Sequence, residues 1–139
     1  MTGIKLRSVY LEDEAPRLLY RLLEERNDEI NISHRSMPTW RAHLAFIRSK
    51  PYSAWYLVKA GREFVGAIYL SKTNEIGIFV LREHQGKGLG KKAIQALMKR
   101  HPRKRFLANI NPRNTNSIGM FEGMGFRHIQ NTYELIDKN

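Results

Sequence analysis

A chain of 139 residues is long enough for one domain with a real hydrophobic core. It contains no cysteine, which excludes disulfides, thiolate metal sites and cysteine nucleophiles and makes an intracellular, cytoplasmic protein the simplest reading. Lys and Arg outnumber Asp and Glu by 24 to 13, and the net charge of +11 favours an anionic partner, although excess lysine also serves solubility.

Residues 4–10 alternate apolar and polar side chains and are predicted to form a first strand. Glu12, Asp13, Glu14 and Pro16 then open a helix whose stripe of Leu18, Leu19, Leu22 and Leu23 runs to about Glu25. Residues 26–38 are polar and irregular. Thr39 is expected to cap a second helix carrying Trp40, Leu44, Phe46 and Ile47, which ends near Lys50 and Pro51. Strands are predicted at 54–59 and 63–70, joined through Ala60, Gly61 and Arg62, and a third at 75–81. A helix over 89–100 buries Leu89, Ala93, Ile94 and Leu97. A strand at 105–110, a short helix at 115–124 and two closing strands at 126–130 and 132–136 complete a single domain over residues 1–139. No apolar run approaches the roughly 20 residues that span a bilayer, and the N-terminus lacks a signal-peptide core, so no membrane partner is expected. His34, His43, His84, His101 and His128 have no ligand spacing, so no metal is expected, and His84 is predicted to face solvent.

The most informative stretch is Gln85-Gly86-Lys87-Gly88-Leu89-Gly90, between a buried strand and an amphipathic helix. Such a turn aims main-chain N–H groups and the positive end of a helix dipole at one point, which suits a pyrophosphate. Gly86, Gly88 and Gly90 are able to take positive φ and let phosphate oxygens approach. Lys87, Lys91 and Lys92 oppose the dipole unless a polyanion is bound. The spacing fits neither the phosphate loop of nucleotide hydrolases nor the Gly-x-Gly-x-x-Gly dinucleotide turn.

Gln85, Gly88 and Gly90 fill the Gln/Arg-x-x-Gly-x-Gly/Ala pattern with which GNAT acetyltransferases hold coenzyme A. Asn116-Ser117-Ile118-Gly119-Met120-Phe121-Glu122-Gly123-Met124-Gly125-Phe126 resembles the closing segment of that family. The resemblance implies an α/β GNAT fold: a central mixed, mostly antiparallel sheet, splayed at a cofactor wedge and flanked by four helices. It implies an acetyl-CoA-dependent N-acetyltransferase acting on a primary amine by direct attack in a ternary complex. Pantetheine would enter between strand 78–81 and strand 106–110. The implied cofactor contacts are Phe79, Val80, Leu81, Gln85, Gly86, Lys87, Gly88, Leu89, Gly90, Lys91, Asn111, Asn116 and Phe121, while Asn114 caps the closing helix. Gly119 and Gly123 weaken that helix, and either close approach to the cofactor or a neighbouring strand, or loose packing, explains them.

Catalysis is less well specified. Glu75 is the first candidate base, although a shift of one residue in register would put it on the other face of the sheet. Phe121 stands where many family members carry the tyrosine that protonates the leaving thiolate. Either Tyr133 or water substitutes, or the thiolate leaves unassisted. His34 and Arg35 lie in residues 31–36, the segment that shapes the acceptor pocket in this family, where a plain polar loop is the alternative. Residues 26–43, with Arg35, Trp40 and His43, loosely resemble family members that acetylate nucleotide-linked amino sugars or protein N-termini. The expected acceptor is a small-molecule or peptide amine, and a phosphorylated or nucleotide-linked one suits the charge. A non-catalytic module binding CoA or nucleic acid is the second reading, and monomer and homodimer both stay open.

Overall fold

The computed structural model describes residues 3–29 and 37–137. Four strands, β1 (Ile4–Ser8), β2 (Ala54–Ala60), β3 (Glu63–Leu70) and β4 (Ile76–Val80), form one open sheet in the order β1-β2-β3-β4. All three neighbouring pairs are antiparallel. Helices α1 (Ala15–Glu29) and α2 (Trp40–Arg48) precede β2, and α3 (Leu89–Arg100) and α4 (Thr115–Gly123) follow β4. Two short 3-10 turns, Val9–Leu11 and Arg82–His84, cap β1 and β4.

The alternation of each strand divides the core into two layers. Val58, Ile68, Leu70 and Ile76 face α3 and α4, where Leu89, Ala93, Ile94, Leu97 and Phe121 are buried. Leu57, Ala67 and Trp55 face the other way, against Ala15, Leu19 and Leu22 of α1 and Ile47 of α2. Packing of α3 under β4 fixes the glycine turn between them. His43 is buried in the α1–α2 contact, where its ring Nε2 lies 2.8 Å from the Pro16 carbonyl and its ring packs edge-on against Tyr20. That placement makes His43 a helix-to-helix tie. Thr39 and Asn114 cap α2 and α4 through their side-chain oxygens, as their types predict.

The C-terminal third departs from the predicted pattern. Residues 105–110 are not a strand: they touch β4 through one parallel bridge, Glu75 to Leu107. Two hydrogen bonds make that bridge, Ile76 N–H to the Leu107 carbonyl at 2.8 Å and Leu107 N–H to the Asn74 carbonyl at 2.9 Å. Beyond it the two segments diverge, and the parallel component of the sheet goes no further. Residues 126–137 contain no strand either. Their alternating apolar residues find no face to cover, and Tyr133 and Leu135 are 88% and 98% exposed. An alternating pattern specifies a strand only where a partner edge and a buried face exist. Phe126 alone returns to the core, packing edge-on against Phe121 at 5.0 Å between ring centres.

Candidate active site

The divergence after Leu107 opens a cleft along β4. Successive strand residues point their main-chain groups to alternate sides. Ile76 bonds outward to Leu107, whereas the Glu75 carbonyl accepts from Ser71 N–H on the β3 side. Ile78 and Val80 therefore also turn their N–H and C=O groups outward, into the cleft. The Val80 carbonyl accepts a hydrogen bond from the Gln85 side-chain amide at 3.0 Å, which ties the glycine turn to the end of the strand.

Two joined cavities occupy this cleft. The larger, about 820 Å³, is lined by Ile78, Phe79 and Val80, by Gln85, Gly86, Gly88, Leu89, Gly90 and Lys91, and by Asn111, Asn116 and Met120 across from them. The smaller, about 220 Å³, continues toward Glu75, Tyr69, Gly77, Asn109 and Phe121. Arg26, Ile78, Phe79, Asn111, Asn114 and Ser117 line both, so the two are one elongated channel.

Gly86 and Gly88 have φ of +80° and +74°, and Gly88 caps α3 in the left-handed conformation. Nothing lies within 4 Å of a side chain built on either, so their φ, not crowding, calls for glycine. Gly90 corrects the expectation of a third left-handed glycine, because it sits in the first turn of α3, facing Met120 and Ile78. Leu81 is buried in the core and Lys87 is exposed, and neither lines the channel. His84 does not face solvent: its side chain is only 16% exposed and its Nε2 lies 3.2 Å from the Glu63 carboxylate. A Cβ added at Gly119 or Gly123 meets no protein atom within 4 Å, so close approach of a neighbouring strand does not account for them. His34 and Arg35 lie outside the described residues, and Trp40 is 43% exposed against Tyr20.

At the far end of the channel, Glu75 accepts a hydrogen bond from the Asn109 amide at 3.0 Å. Tyr69 pairs with Gly77 across β3 and β4, and its ring lies over that glycine. A Cβ on Gly77 would stand 2.1 Å from the ring and 2.6 Å from the hydroxyl oxygen. The glycine thus lets the phenol reach across β4 to the cleft. Tyr52 stacks on Tyr69 at 3.9 Å with an interplanar angle of 3°. Burial pushes the Tyr69 phenol up from its ordinary range; the Arg26 guanidinium opposes that shift and the Glu75 carboxylate adds to it. Tyr52 is pushed up to about 12, first by burial and then by Tyr69. Both phenols remain protonated donors at neutral pH. Arg26, from α1, lays its guanidinium 4.1 Å from the Phe79 ring centre on the wall common to both cavities.

Of the residues expected from sequence, Glu75, Phe79, Val80, Gln85, Gly86, Gly88, Leu89, Gly90, Lys91, Asn111, Asn116 and Phe121 line the channel. Tyr133 lies exposed and lines neither part of it. Tyr69, Gly77, Asn109 and Arg26 were missed. A glycine in the middle of a buried strand was the one signal that could have pointed to Gly77 and its partner.

The sequence matches the acetyltransferase (GNAT) family over residues 17–126. The chain belongs to that family. It is an acetyltransferase with acetyl-CoA as acyl donor. No curated protein matches the chain in sequence. Among solved structures it is similar to a domain from Methanocaldococcus jannaschii at 21% identity and a TM-score of 0.82, covering 96% of this chain and 94% of that one. It also resembles RimL, a ribosomal L7/L12 alpha-N-protein acetyltransferase in complex with coenzyme A, at 18% identity and a TM-score of 0.69 over 91% and 81% of the two chains. The aminoglycoside N-acetyltransferase AAC(6')-Iy in complex with CoA is similar at 16% identity and a TM-score of 0.68 over 100% and 97%. At these identities the likeness is one of fold.

Proposed function

We propose that this GNAT acetyltransferase moves the acetyl group from acetyl-CoA to a primary amine by direct attack in a ternary complex. The observation that carries the reading is the single channel joining the glycine turn to Glu75 and Tyr69. The α3 N-terminus and the N–H groups around Gly86 and Gly88 would hold the pyrophosphate. The outward main-chain groups of Ile78 and Val80 would hold the pantetheine arm, with the Asn111 and Asn116 side chains opposite. Backbone binding explains why apolar side chains suffice along β4.

Glu75, oriented by the Asn109 amide, takes a proton from the attacking amine. Tyr69 gives its phenolic proton to the departing sulfur, and the proton on Glu75 returns to the phenolate through water, so both groups end as they began. Tyr69 receives this role in place of Tyr133 because it is the phenol inside the channel. Phe121, buried at the same end, can only pack. Arg26 on the common wall suits an acceptor that carries a phosphate or carboxylate beside its amine, as a nucleotide-linked amine or a peptide would. Amine acceptors are named for two of the similar structures, a protein N-terminus and an aminoglycoside.

The test is acetyl-CoA consumption with a panel of peptide, amino-sugar and nucleotide-linked amines, for the native chain and for Gly88→Val. A Cβ at Gly88 meets nothing within 4 Å, but the left-handed φ costs about 1–2 kcal/mol for an ordinary side chain and more for a β-branched one, so the fold of the variant is checked by denaturation beside the expected loss of acetyl-CoA affinity. Unchanged affinity would put the donor elsewhere. Tight acetyl-CoA binding with no turnover across the panel would make the protein a binding module.

A further inference from the structure

The positive charge of the chain is concentrated in one stretch. Between Glu83 and Glu122 there are nine Lys and Arg and no Asp or Glu, so this stretch supplies nine of the eleven net positive charges. The donor site accounts for only part of it. Lys87, Lys91 and Lys92 surround the N-terminal end of α3, where the pyrophosphate would sit. Lys99, Arg100, Arg103, Lys104 and Arg105 cluster at the opposite end, and helix geometry separates Arg100 from Gly88 by about 18 Å. None of these five lines the channel, and all are exposed.

The cluster is ordered without being neutralised. The Arg100 guanidinium donates to the Leu6 carbonyl at 3.4 Å and lies 5.1 Å from the Tyr56 ring centre. Arg103 donates from Nε to the Asn74 side-chain oxygen at 3.2 Å and from a terminal nitrogen to the Pro102 carbonyl at 3.0 Å. Between them, His101 meets the Tyr56 hydroxyl at 2.6 Å, which pins the chain as it leaves the helix. Every one of these partners is uncharged. Among the described residues, no carboxylate forms an ion pair with any of the five cations. Two cations at a helix C-terminus are accounted for by the dipole, whose effect fades within the last turn. Arg103, Lys104 and Arg105 lie beyond that turn.

We propose that this end of the molecule, from the C-terminus of α3 to Arg105, docks the phosphate backbone of a nucleic acid. Residues 99–105 are five cations, one histidine and one proline. No large apolar side chain is present there to build the core of a protein interface, and no Phe, Tyr or Trp to stack on bases. Charge is what this end chiefly offers, so binding should be independent of sequence and steeply salt-dependent.

The experiment uses fluorescence anisotropy with a labelled RNA duplex of about 20 base pairs and the full-length chain, from about 50 to about 200 mM salt. Five phosphate contacts predict a slope of about −4.5 in log affinity against log salt, or roughly a 500-fold loss over that range. The triple variant Arg103→Gln, Lys104→Gln, Arg105→Gln should reduce the slope by about 3 units and leave acetyl-CoA affinity as it is. Saturating acetyl-CoA should not displace the duplex. Three results would overturn the proposal: the triple variant binding RNA like the native chain, displacement of RNA by acetyl-CoA, or a polyglutamate peptide competing as well as RNA at equal charge. Unaltered acetyl-CoA binding by the variant serves as the check that it has folded.

Discussion

Replacing Gly77 by Ala should disable the far end of the channel. The added Cβ would meet the Tyr69 ring at 2.1 Å, far inside any real contact, and β4 cannot retreat because it is paired with β3 along its length. The ring must leave instead, giving up its stack on Tyr52, which is worth about 0.5–1.5 kcal/mol. With the strain of overpacking the total should be about 1–3 kcal/mol, or a fall of roughly 4–10 °C in Tm for a chain of this size. Catalysis should suffer more than stability. A displaced phenol puts the proton donor out of line, and misplacement by about 1 Å costs on the order of 100-fold in rate. Acetyl-CoA affinity should hold, because the glycine turn and the outward groups of Ile78 and Val80 are untouched. The decisive assay is a double-mutant cycle by chemical denaturation. In a Tyr69→Ala background the new Cβ has room, so the cost of Gly77→Ala should shrink by about 1–2 kcal/mol. An equal cost in both backgrounds would refute the claim that this glycine exists to admit the Tyr69 ring.

Gly66→Ala should act on the donor strand itself, since its Cβ would stand 2.2 Å from the Phe79 carbonyl oxygen; a loss of about 2–3 kcal/mol with weakened acetyl-CoA binding is expected by denaturation and calorimetry. Glu75→Gln should lower kcat by about 100- to 10,000-fold at neutral pH with little change in acetyl-CoA affinity, and part of the rate should return above the pKa of the acceptor amine. Asn109→Ala, which frees the carboxylate without removing it, should cost less. Alkaline unfolding offers a check on the paired tyrosines. Below pH 10 both states keep their phenolic protons, but above it the unfolded chain ionises first while Tyr52, at about 12, and Tyr69 hold theirs, so stability should fall as pH climbs from 10 toward 12. Phenolate absorbance should show these two titrating late, and Tyr52→Phe should shrink the loss.

The proposed donor half of this site was legible in sequence because its turn is local. Glycines at 86 and 88 take their left-handed angles within one turn, and Gln85 reaches back only as far as Val80. A turn of that kind is written in consecutive residues, and spacing alone reveals it. The same holds for the first four strands, whose alternation is enforced by helices on both faces. Strand prediction failed where the pattern lacked a partner. Residues 105–110, an apolar run and not an alternation, hold one bridge, and Tyr133 and Leu135 alternate with polar neighbours while lying in solvent. Periodicity records what a segment could bury, whereas a sheet edge must be there to receive it.

The acceptor half draws on residues scattered over the chain. Arg26 comes from α1, Tyr69 from β3, Glu75 from the residue just before β4, Gly77 from β4 itself, and Asn109 from the diverging segment after α3. Only the antiparallel register, which sets Tyr69 opposite Gly77, and the bridge at Leu107, which brings Asn109 to Glu75, make them neighbours. The bridge therefore has two consequences from one pair of hydrogen bonds. It holds Glu75, the proposed base, in place, and by ending after a single residue it leaves the outer edge of β4 open for the proposed donor. Extending the 105–110 pairing by even two residues would consume the outward groups of Ile78. On the proposed reading, the short bridge at Leu107 is thus what would let one sheet edge serve as both a scaffold for Glu75 and a binding edge for acetyl-CoA.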